Sequence, residues 1–237
     1  MKPSIFRSGI AVVAAVVVLG GCLKSPDITT PPLKAYVSIM HLAPTAPSLD
    51  VFFNDTKVSN APFAPGNVTS VYNAIDKGAI SIKFKKAASD SVVAEVSQAQ
   101  YDSLNYYTLF IYNLHVNGPA KAVRIKDDFS VLTLGKPYYR FFHASPNTGA
   151  VDLFLDSVKI ESSRRLADNT TFEPLNKFSE TTSDYHTIQV RQAGTDSVIA
   201  SLNSVLLAGN AYTFYLRGLD GGSGTNQLSL GLLRAVD

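Results

Sequence analysis

Ala79-Ile80-Ser81-Ile82-Lys83-Phe84-Lys85 alternates apolar and polar side chains. A period of two puts Ile80, Ile82 and Phe84 on one face of an extended chain and Ser81, Lys83 and Lys85 on the other. One dry face and one wet face mark an antiparallel sheet. Working outward, strands are expected near Tyr36–His41, Ser48–Phe53, Ser70–Ala74, Ser91–Ser97, Tyr106–Leu114 and Ala120–Lys126. The pattern recurs at Tyr138–His143, Ala150–Leu155, His186–Gln192, Ser197–Leu202, Ala211–Gly218 and Gln227–Arg234. Turn chemistry separates these runs, at Asn54-Asp55, Asp156-Ser157, Gly194-Thr195-Asp196 and Asp220–Gly224. No helical period appears after residue 35. The expected class is all-β, with two tandem immunoglobulin-like antiparallel β-sandwich domains. The Cys and Trp hallmarks of true immunoglobulin domains are missing, so the expectation concerns the architecture alone.

The tandem arrangement comes from an internal duplication. His41, Pro44, Asp50, Lys57 and Val58 align with His143, Pro146, Asp152, Lys159 and Ile160 at a constant spacing of 102 residues. Ile82 and Asp90-Ser91-Val92 then align with Ile188 and Asp196-Ser197-Val198, and Asn105, Tyr107 and Thr108 with Asn210, Tyr212 and Thr213. The spacing drifts by only a few residues, as it does when insertions fall in surface loops. Domains are expected over 35–134 and 138–237. The short connection Thr133–Lys136 favours a semi-rigid rod over two beads on a string. Tyr107, Leu109 and Ile111, like Tyr212, Phe214 and Leu216, fall at core parity.

The first 22 residues read as an address. Lys2 and Arg7 precede an apolar run from Ile10 to Leu19, too short for a membrane-spanning helix, which needs roughly 20 residues. Leu19-Gly20-Gly21-Cys22 resembles the lipobox of bacterial lipoproteins, which implies a signal peptide over 1–21 and diacylglycerol on the thiol of Cys22, the only cysteine of the chain. Two or three acyl chains anchor a protein stably to a membrane. Residues 22–34 read as anchor and flexible tether, polar and Pro-containing. Leu23 stands where many Gram-negative lipoproteins kept at the inner membrane carry Asp, a resemblance that favours the outer membrane. The 21 Lys and Arg include Lys2 and Arg7, so 19 remain in the mature chain against 19 Asp and Glu. That balance gives no basic footprint for nucleic acid. No disulfide can form after residue 22, so each domain must fold by burial alone, for which about 100 residues suffice.

His143-Ala144-Ser145-Pro146, followed by Val151-Asp152 and a short turn, resembles the opening motif of domain of unknown function 4397. Leu207-Ala208-Gly209-x-x-Tyr212-Thr213 resembles a later strand of that family. The first copy is more divergent, with Leu42 and Ala43 inside the motif. The resemblance implies a secreted or lipid-anchored β-domain, often in tandem, and carries no known activity. Physically, the motif suggests a strand ending at the histidine, a Pro turn and a second strand carrying the aspartate. Side by side, Asp50 would accept a hydrogen bond from His41, and Asp152 from His143. Two readings follow: an acid–base pair or half of a metal site, or a turn clamp that satisfies backbone donors of the Pro loop. The clamp is favoured, because a catalytic pair kept twice without a third partner would be unusual.

No nucleophile elbow, zinc-protease motif or phosphate loop is present, and the mature body holds no thiol. His115 and His186 are too scattered to suggest zinc ligands, and Asp220–Gly224 lacks the carboxylates of a calcium site. No cofactor, metal or catalytic residue is expected. Asp-Ser-aliphatic recurs at Asp90, Asp102, Asp156 and Asp196. It resembles a bacterial O-glycosylation sequon, but the favoured reading is a hairpin turn at Asp-Ser with the aliphatic residue opening the next strand. The expected protein is a non-enzymatic, lipid-anchored binding or structural module of the cell envelope, its partner an envelope protein or glycan. The alternative is a carbohydrate-binding accessory of a glycan-uptake system, which would present an exposed row of tyrosines.

Overall fold

The computed structural model describes residues 32–170 and 175–236. The signal peptide, Cys22 and most of the tether lie outside the described residues. The chain from Leu33 onward forms a compact unit.

Each copy is a two-sheet β-sandwich, so the all-β expectation holds. In the first copy the strands are β1 (Lys34–His41), β2 (Leu49–Phe53), β3 (Thr56–Lys57), β4 (Asn73–Asp76), β5 (Gly78–Lys86), β6 (Val92–Tyr101), β7 (Tyr106–Asn113) and β8 (Ala120–Lys126). They pair as sheets β4-β1-β7-β8 and β3-β2-β5-β6. The second copy holds β9 (Tyr138–His143), β10 (Val151–Leu155), β11 (Val158–Arg164), β12 (Ser179–Glu180), β13 (Asp184–Gln192), β14 (Val198–Leu206), β15 (Ala211–Arg217) and β16 (Ser229–Val236). Its sheets are β12-β9-β15-β16 and β11-β10-β13-β14. Pairing is antiparallel except where the first strand of each copy runs parallel beside a late one, β1 with β7 and β9 with β15. Strands β3, β11 and β12 were not expected. Asn54 and Asp55 both take positive φ (44° and 67°), as the tight hairpin between β2 and β3 requires.

Each sandwich has its own core. Ile80, Ile82 and Phe84 pack with Val37, Leu49, Val51, Tyr107, Leu109 and Ile111 in the first. Ile188 and Val190 pack with Val151, Leu153, Tyr212, Phe214 and Leu216 in the second. The intervening side chains of β7 and β15 are not wet, however. Met40, Phe110, Tyr112, Val123 and Ile125 form a third cluster with Phe142, Tyr215 and Leu233 of the other copy. The β4-β1-β7-β8 sheet therefore packs face to face on the β12-β9-β15-β16 sheet, and the four sheets stack as layers. The expected rod is instead a stack with a shared apolar seam. Equivalent strands of both copies contribute to it, so the duplication has produced an internal version of a symmetric dimer contact. Phe110 and Phe142 stack with ring centroids 5.0 Å apart. Gly231 lies under the Tyr215 ring, where a Cβ would approach within 2.3 Å.

An ion pair crosses the seam. Arg140 of β9 and Asp127, just past β8, are both buried, and Nη1 donates to the carboxylate at 2.5 Å. Nη1 also reaches the Leu175 carbonyl (3.1 Å), Nε donates to Thr213 Oγ1 (2.9 Å) and Nη2 to Thr108 Oγ1 (2.8 Å). The other carboxylate oxygen accepts from Thr108 (2.8 Å) and from Tyr72 (2.6 Å). The guanidinium lies between the rings of Phe142 and Phe178, 4.7 and 4.5 Å from their centroids. Burial and the neighbouring carboxylate push the Tyr72 phenol well above its usual range, so it remains a donor. Removing one partner of a buried, hydrogen-bonded pair strands the other charge and costs about 3–5 kcal/mol, whereas apolar replacement of both is often neutral. Arg140→Ala should lower stability by that amount in urea unfolding, and Arg140→Met combined with Asp127→Leu should recover most of it.

Candidate functional site

The duplicated motif forms at the end of each sandwich, but its members do not meet as the sequence suggested. His41 and Asp50 lie on β1 and β2, which belong to opposite sheets, as do His143 and Asp152 on β9 and β10. His41 Nε2 sits 3.0 Å from the Pro47 carbonyl and His143 Nε2 3.0 Å from the Gly149 carbonyl. A carbonyl only accepts, so each ring carries its proton on Nε2 and donates. Neither Nδ1, the atom an orienting carboxylate would take, has a partner among the described residues. The expected His–Asp pair is therefore corrected, and the histidine clamps a loop acceptor rather than loop donors. Pro44 is buried in the loop so held and Pro146 half-buried. Burial lowers the pKa of both histidines, which keeps the rings neutral near pH 7.

The aspartates are occupied by the other repeated residue. Asp50 meets Lys57 at 2.9 Å, and Asp152 meets Lys159 at 2.6 Å. Asp50 also accepts from the Ala88 amide (3.2 Å), and Asp152 from the Ser163 (2.8 Å) and Gly194 (3.1 Å) amides. Each carboxylate thus ties a neighbouring hairpin to its strand. The Lys159 ammonium, with the Ser163 and Gly194 amides, holds Asp152 down at about 2, and Lys57 lowers Asp50 in the same way.

No spacing or motif signalled that His186 and Asp156 would meet. His186 Nδ1 lies 2.7 Å from Asp156 and Nε2 2.9 Å from the Thr182 carbonyl. Position 80 of the first copy, paired in the same sheet register, is Ile80, so this contact belongs to the second copy alone. The Asp-Ser-aliphatic elements sit at turns between strands. There Asp90 pairs with Lys85, Asp196 with Arg191, and Asp102 accepts from Tyr107. Asp220 of the Gly-rich loop is fixed through its backbone to Asn147, by bonds of 2.9 Å in both directions. Among the described residues no group of three His, Cys, Asp and Glu is arranged to hold a metal.

An opening lies elsewhere, between the β1–β4 edge and the β2–β3 edge of the first sandwich. Its volume is about 550 Å³, and Val37, Ile39, Val51, Phe53, Phe63 and Ile75 provide its apolar walls. Lys34, Asp76, Asn60 and Asn73 stand among its polar lining.

A duplicated two-sheet sandwich, locked at one end of each copy by a His clamp and an Asp–Lys latch, defines a tandem β-sandwich protein. The model of the domain of unknown function DUF4397 matches residues 35–154 and 137–232. The chain belongs to that family, in tandem. No curated protein matches it.

Two acid-sensitive elements follow from the site. A histidine with a lowered folded pKa binds fewer protons than the unfolded chain, so stability falls as pH drops below about 6.5. The depressed Asp152 contributes stability above the unfolded carboxylate pKa of 3.8, and that contribution is lost as pH falls through about 2. Urea titrations across pH 7 to 2 should show both declines. Asp152→Asn should flatten the lower one and leave the upper one in place.

Proposed function

We propose that this is a lipid-anchored, non-enzymatic module of the cell envelope that binds a partner or ligand on a rigid paired-sandwich body. The observation that carries the reading is the fate of the chemically versatile residues. His41, His143, Asp50 and Asp152 are spent on loop carbonyls, lysines and backbone amides. Among the described residues these four side chains serve as ties between loops and strands. The lipobox-like Leu19–Cys22 supports attachment at Cys22, and the absence of an inner-membrane Asp after it supports the outer membrane. No helix among the described residues is long and apolar enough to cross a membrane. The glycan reading finds less support, because a sugar platform needs exposed rings. Of the described aromatic side chains, Tyr185 alone is strongly exposed, at 60%.

Metabolic labelling with an alkyne fatty acid tests the anchor. The wild-type protein should take up label and fractionate with membranes, and Cys22→Ser should lose label and become soluble. Undiminished labelling of the variant would refute attachment at that thiol.

A further inference from the structure

At the place in the second sandwich that corresponds to the cleft of the first, described side chains bridge the two sheets. Strand β9 aligns with β1, so Tyr139 takes the place of Val37 and Phe141 that of Ile39. The Tyr139 ring packs on Phe214, and its hydroxyl donates to the Ile160 carbonyl of β11 at 3.2 Å. Arg164 at the end of β11 reaches back to the Phe141 carbonyl (3.1 Å) and pairs with Glu161 and Asp168. Together they bolt the edge strand of one sheet to the edge of the other. Strand β11 pairs with β10 from Leu155↔Val158 to Val151↔Arg164, with bulges at Leu153, so the bolt has a seat at both ends of β10.

The first copy lacks each part of that closure. Strand β3 is only two residues long, and the chain leaves it at Val58, the counterpart of Ile160. Val37 is too short to cross between the sheets. Ser59 accepts from the Val51 amide (3.0 Å), and Phe63 exchanges backbone bonds with Leu49. The segment between them therefore forms an outer wall and leaves space behind it. Around that space are apolar walls. The charged groups sit at the edge, where Lys34 meets a largely exposed Asp76 at 2.6 Å. Small-molecule sites run roughly 300–1,000 Å³ and pair an apolar interior with a few polar groups, and about 550 Å³ falls within that span.

We infer that this cleft binds a single-chain aliphatic amphiphile, with its tail between the two sheets and its polar head at the rim beside Lys34, Asn60, Asn73 and Asp76. Duplication has left one sandwich sealed for stability and the other open for a ligand. The inference deepens the binding reading above by naming a ligand class, and it does not depend on acylation at Cys22.

The test uses residues 33–237, which contain every strand and every apolar cluster described, with cis-parinaric acid as probe. Methyl resonances of Val37, Ile39, Val51, Val58 and Ile75 should shift saturably on titration, while those of Ile188 and Val190 in the second core stay in place. Val37→Tyr, which installs the plug of the second copy, should weaken the probe at least tenfold. Phosphatidylcholine vesicles without probe should leave the same methyls unmoved. Absence of shifts, shifts confined to other residues, or unchanged affinity in a folded Val37→Tyr would overturn the inference. Movement by vesicles alone would overturn it in favour of a membrane-embedded tail. The wild-type methyl map decides even if the variant fails to fold. Failure here with intact labelling at Cys22 would remove the amphiphile and leave the anchored module standing.

Discussion

The Arg140–Asp127 pair is the constraint around which the rest of the molecule is arranged. Each copy places one large apolar sheet face outside its own core, and such a face must be covered. Covering it with the other copy satisfies the apolar requirement but would allow many sliding positions. A buried charge pair allows very few, because Arg140 must reach Asp127, Thr108, Thr213 and the Leu175 carbonyl together. The rings of Phe142 and Phe178 restrict the guanidinium plane further. Apolar area supplies the attraction and the network supplies the register.

The network also shows how twin domains became different. Thr108 and Thr213 are equivalent residues, and both bind the one arginine. The arginine itself has Ser38 as its equivalent, a small side chain bonded to Thr69 at 3.0 Å. One substitution at a symmetric seam thus makes the halves distinct. The same kind of divergence separates Val37 from Tyr139 at the corresponding edges of the two sandwiches, one open and one bridged, and Ile80 from His186 near a strand end.

Much of the fold was legible in the sequence, for a simple physical reason. Ile80, Ile82 and Phe84 alternate with polar residues because their strand has one wet face, and the structure places them in the first core as expected. The family resemblance around His143 also stands. The seam was harder to see. Its signal was present in Tyr106–Tyr112, Tyr138–His143 and Ala211–Leu216, which are almost continuously apolar, as strands buried on both faces are. Strand β11 carries Lys159, Glu161, Ser162 and Ser163, so its polarity hid an edge strand. The His–Asp expectation failed because nine residues of spacing cannot show that the chain changes sheets within the loop. Lys57 and Lys159 belonged to the repeated set all along, and their ammonium groups were the partners the aspartates needed.

The central claim is that the two copies form one cooperative body rather than neighbours on a string. Differential scanning calorimetry of residues 33–237 addresses it most directly. A single transition, with calorimetric and van't Hoff enthalpies in agreement, is the predicted result. Two resolved transitions, each carrying about half of the enthalpy, would contradict it.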